Sequence, residues 1–251
     1  MTDPIDNATY PKPDYYPTVA IIVPVIGEKR ELCSLLEQLR AWSIQPAEII
    51  VVSAESDPEL ISICKEYDCD HLKSIPCRGE QLDQGATIAT SDIVWFLHVD
   101  SEPHVDRLTT ISHAIANGAE GGYFRFKFTG ASAWWKRLLE CLIFLRIRLG
   151  GIPYGDQGIF ARRTAYRDIG GFPHQSLFEE VTLVKNLRAR GQFRAIDLSI
   201  GVTPKRWERD GWCRRSLANR DLAIRHVLGT PAEQLAERYY RRLNTNRDSK
   251  S

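Results

Sequence analysis

The fold is decided by residues 93–103, which read IVWFLHVDSEP. The five apolar residues at the start predict a strand that is buried on both faces, and Pro103 ends it. Because strand side chains alternate between faces, His98 and Asp100 should emerge on one side at the carboxyl end, with Glu102 following if the extended path continues. Ligands of open α/β sheets gather at that end, where a divalent cation would suit a diphosphate. The alternative is an ordinary polar exit from a strand.

The flanking sequence alternates between strand and helix periods. In chain order it predicts strands at 18–25, 47–52 and 72–75, with helices at 32–42, from Asp57-Pro58 onward and at 81–90. Such alternation predicts parallel βαβ units with right-handed crossovers and a three-layer core. Beyond the central strand, we predict a helix at 106–117, an edge or mixed-sheet strand at 123–128, and two helices after Trp212, the second at 232–243.

Composition limits the classes of function. With 251 residues, of which 43% are hydrophobic, the chain can bury the core of one large domain without disulfides or metals. Its net charge of +1 argues against a dedicated nucleic-acid binder, although residues 205–251 hold twelve basic and six acidic side chains. Six cysteines without CxxC spacing predict neither a zinc site nor a disulfide framework.

The ends of the chain suggest its organisation. Residues 1–17 contain acids and prolines but no basic segment followed by an apolar stretch, so no secretory signal is visible and we expect a cytoplasmic location. We expect three parts: a flexible N-terminal tail at 1–17, an α/β domain at 18–211 and a helical, basic extension at 212–251.

Residues 132–149 form a second distinctive stretch. Trp134, Trp135 and several leucines are interleaved with basic residues at helical spacing, and the segment is too short and too charged to span a bilayer. As a helix it would either cover the core, which we favour, or lie on a membrane interface. The second alternative would make peripheral contact with the inner face of the membrane.

Several short motifs occur together in a characteristic order. They are VPVIGE at 23–28, RGEQ at 78–81, LHVD at 97–100, YGDQG at 154–158, FEE at 178–180 and RW at 206–207. As an ordered set, they resemble the family 2 glycosyltransferases, in particular a small, soluble bacterial branch with a Leu-His-x-Asp metal motif. The resemblance extends over residues 18–228 and implies a GT-A-like (Rossmann-like) three-layer α/β sandwich with a mixed, mostly parallel sheet and a helical C-terminal tail.

The resemblance also implies a reaction. In the family, a sugar moves with inversion from a nucleotide-diphosphate donor to an acceptor hydroxyl, and a divalent metal holds the diphosphate. Asp100 matches the final metal ligand, and His98 replaces the more usual first acid. This mixed oxygen and nitrogen pair suits Mn²⁺ at least as well as Mg²⁺. A UDP- or GDP-linked donor is implied, whereas the acceptor stays open and includes lipid-linked hydroxyls.

Two glutamates are the candidates for the proton-transfer step. Glu180 stands where the family has its base, although the family more often has Asp there, and the extra methylene shifts the carboxylate. A helix N-terminus would keep that carboxylate ionised and ready to accept a proton. Glu179 instead completes a capping box with Ser176, so it has a purely structural alternative.

The remaining candidates bind the donor or the sugar. Arg78 and Gln81 lie one helical turn apart and could hold the nucleotide together, and the resemblance implies further donor contacts from Glu28, Ser53, Glu55 and Arg206. Ser53 stands where an Asp is commoner, so Glu55 is a substitute. Asp156 and Gln157, in a loop with two glycines, could bind sugar hydroxyls, and Trp207 could pack beside the sugar or acceptor. Helix starts, a plain turn and a solvated basic face are the structural alternatives.

Two other functions are compatible with these motifs. Sugar nucleotidylyltransferases have a similar layout, but they would be expected to show a Gly-rich basic loop after the first strand, where residues 26–30 contain one Gly. A nucleotide-sugar-binding regulator or membrane-surface adaptor without activity is the non-enzymatic alternative. Ser53, the Glu-Glu pair and the basic tail motivate it.

Overall fold

A computed structural model describes residues 16–239. Its single mixed sheet has the strand order β3-β2-β1-β4-β7-β6-β8-β5. The strands are β1 (Val19–Val25), β2 (Glu48–Ser53), β3 (Asp70–Lys73), β4 (Ile93–Phe96), β5 (Ser101–Glu102), β6 (Gly121–Phe128), β7 (Phe160–Arg162) and β8 (Phe193–Val202). Four of the seven neighbouring pairs are parallel, which confirms the predicted mixed, mostly parallel sheet.

Helices cover both faces of the sheet. They are α1 (Lys29–Arg40), α2 (Pro58–Glu66), α3 (Arg78–Ile88), α4 (Asp106–Ala116), α5 (Trp134–Arg148), α6 (Arg163–Asp168), α7 (Glu179–Arg190), α8 (Lys205–Asp210) and α9 (Trp212–Val227). Residues 232–239 are also helical. The start of α2 agrees with the sequence prediction, because the Asp57 carboxylate accepts a hydrogen bond from the Glu59 backbone N–H at 2.9 Å.

Two apolar layers result from the alternation of strand side chains. On one face, Ile21 of β1 packs with residues of α1, α2 and α4. On the other face, Ile22 packs with residues of α3, α6 and α7. Gly85 lets α3 approach the sheet closely, since a Cβ atom there would lie 2.6 Å from Cγ2 of Ile22. This is the predicted three-layer arrangement.

Strand β4 lies where the sheet changes direction. It pairs in parallel with β1 and antiparallel with β7, and all four of its residues are buried. Trp95 stacks against Trp42 at 6.4 Å between ring centroids and packs against Phe124 at 5.8 Å. Its indole N–H donates to the Gly158 carbonyl at 3.1 Å. The central strand therefore fixes the position of the loop that precedes β7.

Strand β6 was predicted to lie either at the edge of the sheet or inside a mixed sheet, and the structure distinguishes these two positions. It lies inside the sheet, between β7 and β8, because the long strand β8 pairs with it in parallel over residues 193–202. The mixed-sheet alternative was right and the edge alternative wrong. Phe124, Phe126 and Phe128 are buried, whereas Arg125 and Lys127 are exposed. The alternation of apolar and charged residues therefore indicates that one face of β6 is buried, and not that the strand lies at the edge of the sheet.

Helix α5 covers less of the core than expected. Lys136 and Ile147 are its only buried residues, while Leu139 and Ile143 pack partly against a small cluster around Phe128. Most of its other apolar side chains face solvent. Within residues 16–239, no helix combines the length and the hydropathy needed to cross a bilayer.

The predicted three-part organisation stays a prediction. The N-terminal tail, except for residues 16 and 17, and the end of the helix predicted at 232–243 lie outside the described residues. Within them, α9 and the helix at 232–239 pack together through Leu222 and Leu235, on a cluster that includes Phe178.

We expect Trp95→Phe to lower the free energy of unfolding by about 1–3 kcal/mol. The substitution removes the donor for the Gly158 carbonyl and leaves space in a fully buried site. Urea denaturation measures the change. The matched control is Trp134→Phe, at a side chain exposed by 73%, which should stay within about 0.5 kcal/mol of wild type. Equal effects of the two substitutions would contradict the proposed link between β4 and the loop.

Candidate active site

A cleft at the carboxyl end of β4 collects most of the predicted site residues. It has about 830 Å³ of space, part of it open to solvent. Eight of the thirteen predicted site residues line it: Arg78, His98, Asp100, Asp156, Glu179, Glu180, Arg206 and Trp207. They come from the exit of β4, the start of α3, the loop before β7, the start of α7 and helix α8. The cleft is thus the candidate active site.

A tight turn after β4 separates the predicted metal pair from Glu102. The Ser101 backbone N–H donates to the His98 carbonyl at 3.0 Å, so the chain turns after β4 instead of continuing as an extended strand. His98 and Asp100 line the cleft. Glu102 belongs to β5, and its carboxylate accepts a hydrogen bond from the Thr129 hydroxyl at 3.0 Å. The expectation that Glu102 would follow the other two therefore fails.

The loop before β7 packs directly against His98. A Cβ atom on Gly155 would lie 2.5 Å from His98 Nε2, so only glycine fits beside this ring. The Gln157 amide donates to the Phe124 carbonyl at 3.1 Å, and its oxygen accepts from the Tyr154 backbone N–H at 3.2 Å. Gln157 is thus a buried brace of the loop, and Asp156 is the acid that the loop presents to the cleft.

Helix α7 brings its first two residues, both glutamates, into the cleft wall. Its N-cap is Phe178, which has a left-handed backbone with φ of 60°, and no side chain caps the helix. The predicted capping box with Ser176 is therefore wrong, since the helix begins only at Glu179. Glu179 and Glu180 are both buried, and a Glu180 carboxylate oxygen accepts from the Gly155 backbone N–H at 3.3 Å.

Two arginines face the acids of the cleft. Nε of Arg78 lies 3.8 Å from a Glu179 carboxylate oxygen, and Nη2 of Arg206 lies 3.8 Å from a carboxylate oxygen of Asp100. Both separations are long for an ion pair, and both guanidinium groups are partly exposed. Each arginine can therefore contribute donors to an anionic ligand while it stays close to its acid.

Burial shifts the proton affinities of the cleft. Desolvation, with a smaller effect of Asp100, raises the pKa of Asp156 to about 6. Desolvation, together with the nearby Glu179 carboxylate, raises the pKa of Glu180 well above its usual value. The expectation that the helix N-terminus would keep this carboxylate ionised is therefore wrong, because burial outweighs the helix dipole. Desolvation, helped by the positive charges of Arg78 and Arg206, lowers the pKa of His98 well below its usual value, so its imidazole is neutral at pH 7.

The nitrogen and oxygen atoms of the cleft side chains could bind a divalent cation if a bound ligand supplied further oxygen atoms. Within residues 16–239, no group of three or more His, Cys, Asp or Glu side chains is arranged to bind a metal by itself. However, His98 is in the neutral form that binds metals, and Asp100 and Asp156 repel each other, which a cation would relieve. Phosphate oxygens could supply the missing ligands. The residues present thus fit a metal shared with a diphosphate.

Gln81 does not line the cleft. Its side chain is fully buried, and its amide donates to the carbonyls of Val25 at 3.0 Å and Val52 at 2.8 Å. These carbonyls lie in β1 and β2, so Gln81 ties the ends of two strands together. The side-chain amide oxygen of Gln81, Oε1, has no hydrogen-bond partner among the described residues. Its predicted contact with a nucleotide stays a prediction.

Three further donor-binding candidates also lie outside the cleft lining. Ser53 is buried, and its hydroxyl donates to the Glu55 carbonyl and lies 2.8 Å from Nε2 of His71. Glu55 is exposed at the end of β2. Glu28 accepts a hydrogen bond from the Ile26 backbone N–H at 2.7 Å. Ser53 ends β2, and Glu28 and Glu55 follow β1 and β2, so all three lie at the carboxyl ends of these parallel strands. Their predicted contacts with the donor stay predictions.

The C-terminal helices contribute cleft residues that sequence reasoning missed. Arg215, Asn219 and Leu222 of α9 line the cleft, as does Tyr239. The Arg215 guanidinium donates to the Tyr239 hydroxyl at 2.8 Å and lies 6.0 Å from the centroid of the Trp207 ring. The only available signal was the 215, 219, 222 spacing on one helical face, which does not distinguish a ligand site from a packing surface.

Comparison with solved structures places this architecture among GT-A glycosyltransferases. Glucosyl-3-phosphoglycerate synthase from Mycobacterium tuberculosis, solved with Mn²⁺, UDP and glucosyl-3-phosphoglycerate, is 18% identical, with a TM-score of 0.55 and 77% of each chain covered. TarS from S. aureus is 13% identical, with a TM-score of 0.60, over 74% of this chain and 36% of its own. At these identities the likeness concerns the fold alone, and no curated protein matches the sequence.

The sequence itself gives the family. The profile of Glycosyl transferase family 2 matches residues 20–170, which include β1, the Arg78 helix, the His98 and Asp100 turn and the loop with Asp156. This match extends over more than half of the chain. The protein therefore belongs to glycosyl transferase family 2.

Proposed function

We propose that the protein is an inverting, metal-dependent glycosyltransferase that moves a sugar from a UDP- or GDP-linked donor to an acceptor hydroxyl. The observation that carries the proposal is the convergence of the His98 and Asp100 pair, two arginines and the Glu180 carboxylate on one cleft. The crystallised relative that binds UDP with Mn²⁺, and a second structure of the same enzyme with UDP and Mg²⁺, support the choice of ligand.

Donor binding would use the positive side of the cleft. His98 and Asp100 would hold Mn²⁺ or Mg²⁺, which when bound offsets negative charge on the diphosphate leaving group. Arg206 would donate to a diphosphate oxygen, because its guanidinium faces Asp100 from helix α8. Arg78 faces the same cleft from the start of α3 and would act on the same group.

Glu180 is the proposed base. The acceptor oxygen would attack the anomeric carbon while the bond from that carbon to the diphosphate breaks, and the hydroxyl proton would pass to Glu180. The Gly155 N–H at 3.3 Å orients this carboxylate. Glu179 lies beside Glu180 and pairs with Arg78, so we propose that it positions Arg78 and tunes the proton affinity of the base.

The other predicted residues receive smaller roles. Asp156 would bind a sugar hydroxyl or join the metal, and Trp207 would pack against the sugar or acceptor. We propose a cytoplasmic location and a lipid-linked acceptor at the inner face of the membrane. The six cysteines, all within residues 16–239, are unpaired, which fits a reducing compartment.

We expect Asp100→Asn to weaken metal-dependent nucleotide binding by about 10- to 100-fold, because it removes the charged metal ligand. Thermal shift with UDP or GDP, each with Mn²⁺ or Mg²⁺, should show a rise in melting temperature for wild type that the Asp100→Asn variant largely loses. Asp197→Asn is the matched control, since Asp197 is an exposed acid on β8 that pairs with Arg125 away from the cleft. If the Asp100→Asn variant binds as wild type does, the metal site is elsewhere.

We expect Glu180→Gln to lower turnover by at least about 100-fold while nucleotide binding persists, because an amide cannot accept the proton. The wild-type kcat/KM should fall on the acid side at a higher pH than an ordinary carboxylate would give, since Glu180 acts as a base only above its raised pKa. Metal-dependent release of nucleoside diphosphate measures both effects. Equal background rates for wild type and variant would favour the inactive adaptor.

The same substitution should stabilise the protein at pH 8. The pKa of Glu180 is raised in the folded state, so its ionisation above that pKa disfavours folding, and a neutral amide removes this penalty. We expect the melting temperature to rise by about 2 °C or more at pH 8, with little gain near pH 4, where the carboxyl group is mostly protonated in both states. The exposed Glu66→Gln control should show no such pH-dependent gain. A loss of stability at pH 8 would contradict the buried ionisable state.

A further inference from the structure

The outward face of α5 is apolar and uncovered. Six large side chains of this helix and its C-cap are exposed by 43 to 79%. They are Trp134, Trp135, Leu138, Leu142, Leu145 and Leu149. Single exposed apolar residues need no explanation, but six large ones within one helix and its C-cap form a patch, which on a protein surface marks an interaction site.

The six side chains share one side of the helix. At about 100° per residue, their positions fall within an arc of about 100°. Ile143 and Ile147, which contact the protein, lie on the opposite side. The helix is therefore amphipathic in an unusual way, with one apolar face packed on the domain and a second apolar face turned to solvent.

The inner face holds α5 firmly in this orientation. The Lys136 ammonium donates to the Thr129 carbonyl at 3.2 Å, and the Glu140 carboxylate accepts from the Phe128 backbone N–H at 2.8 Å. Phe128 is the last residue of β6 and Thr129 follows it, so both contacts attach the helix to the end of β6. The apolar outer face is thus a fixed surface and not the result of a loosely placed helix.

Exposed basic residues border the exposed face on one side. Arg137 and Arg148 lie along one edge of the arc, while the half-buried Arg146 lies at the other edge and turns its guanidinium toward the Ile152 carbonyl. On the same helical projection, Glu140, the only acidic residue of α5, lies on the inner side. We propose that α5 docks on an anionic lipid bilayer, with its axis in the plane of the interface and its outer face among the acyl chains.

The chemistry of the face favours lipid over a second copy of this chain. Trp134 and Trp135 begin the helix, and indole rings are suited to the boundary between headgroups and acyl chains. A two-fold pairing of identical α5 faces would bring the arginine borders of both copies together, and like charges would oppose that pairing. Anionic headgroups would instead be attracted to the same borders.

The docking face is close to the cleft in the chain and in space. The Arg146 guanidinium lies 4.4 Å from the centroid of the Tyr154 ring and donates to the Ile152 carbonyl at 2.9 Å. Tyr154 lines the cleft. A bilayer bound to α5 would therefore lie next to the cleft. The inference rests on the proposed function where it concerns a lipid-linked acceptor, but binding of α5 to the bilayer does not itself require the transferase reaction.

Sedimentation of the full chain with vesicles tests the proposal. Vesicles of phosphatidylcholine with phosphatidylglycerol should sediment the wild-type protein. The double variant Leu138→Gln/Leu142→Gln should bind these vesicles with an affinity lower by about tenfold or more. The matched control is Leu217→Gln/Leu228→Gln, at leucines exposed by 66 and 79% outside α5, which should bind as wild type does. No binding of wild type to these vesicles, or an equal loss in both variants, would overturn the proposal.

Charge and oligomeric state complete the test. Arg137→Gln/Arg148→Gln should lower binding to anionic vesicles several-fold, and added salt should reduce wild-type binding in the same way. Analytical ultracentrifugation without lipid should give a monomer. A dimer that Leu138→Gln/Leu142→Gln converts to monomer would overturn the proposal in favour of a second copy of this chain. Because nucleotide binding by these variants is measured separately, failure of the membrane proposal is distinguishable from failure of the proposed transferase.

Discussion

The complete burial of β4 is the constraint on which the rest of the molecule depends. The strand is covered on both faces, and its Trp95 side chain reaches out of the strand to hold the Gly158 carbonyl. One buried element thereby fixes two parts of the cleft: the turn with His98 and Asp100 that follows it, and the loop with Gly155 and Asp156. Because Gly155 leaves no room beside the imidazole, these two parts are held against each other. The packing of β4 therefore brings together two parts of the site that lie more than fifty residues apart in the chain.

The sequence was most informative where a local rule has a single outcome. An apolar run that ends in alternating polar residues predicts a buried strand with His98 and Asp100 at its exit, and the structure brings both to the cleft. It did not predict the hydrogen bonds that the two glutamines make inside the fold, because an amide that could bind a ligand can equally donate to backbone carbonyls. Gln81 bonds to residues of β1 and β2, and Gln157 to a residue of β6, and no local pattern encodes such distant partners.

Long-range packing also explains the other differences from expectation. Ser176 and Glu179 have the spacing of a capping box that would start the helix at residue 177, but α7 begins two residues later, after the left-handed Phe178. Phe178 stacks on His226 of α9 at 4.5 Å between ring centroids. A tertiary contact thus accompanies the departure from the local signal. Helix α9 brings Arg215 to the cleft and the helix at 232–239 brings Tyr239, from the far end of the described chain, where only a basic face could be predicted.

The places where the molecule departs from the rules of stable packing coincide with its proposed contacts. Glu179 and Glu180 are buried side by side, with one arginine at 3.8 Å as the partner of the first, an arrangement that costs folding free energy. The outer face of α5 leaves six large apolar side chains in water. Neither feature helps the isolated chain to fold, since well-packed apolar residues in the cleft and polar residues on α5 would be more stable. The proposals account for both features, since the glutamate pair would supply the proton acceptor of the reaction and the apolar face of α5 would be covered by a bilayer. Together, the two proposals describe a single arrangement, in which catalysis takes place beside a lipid surface.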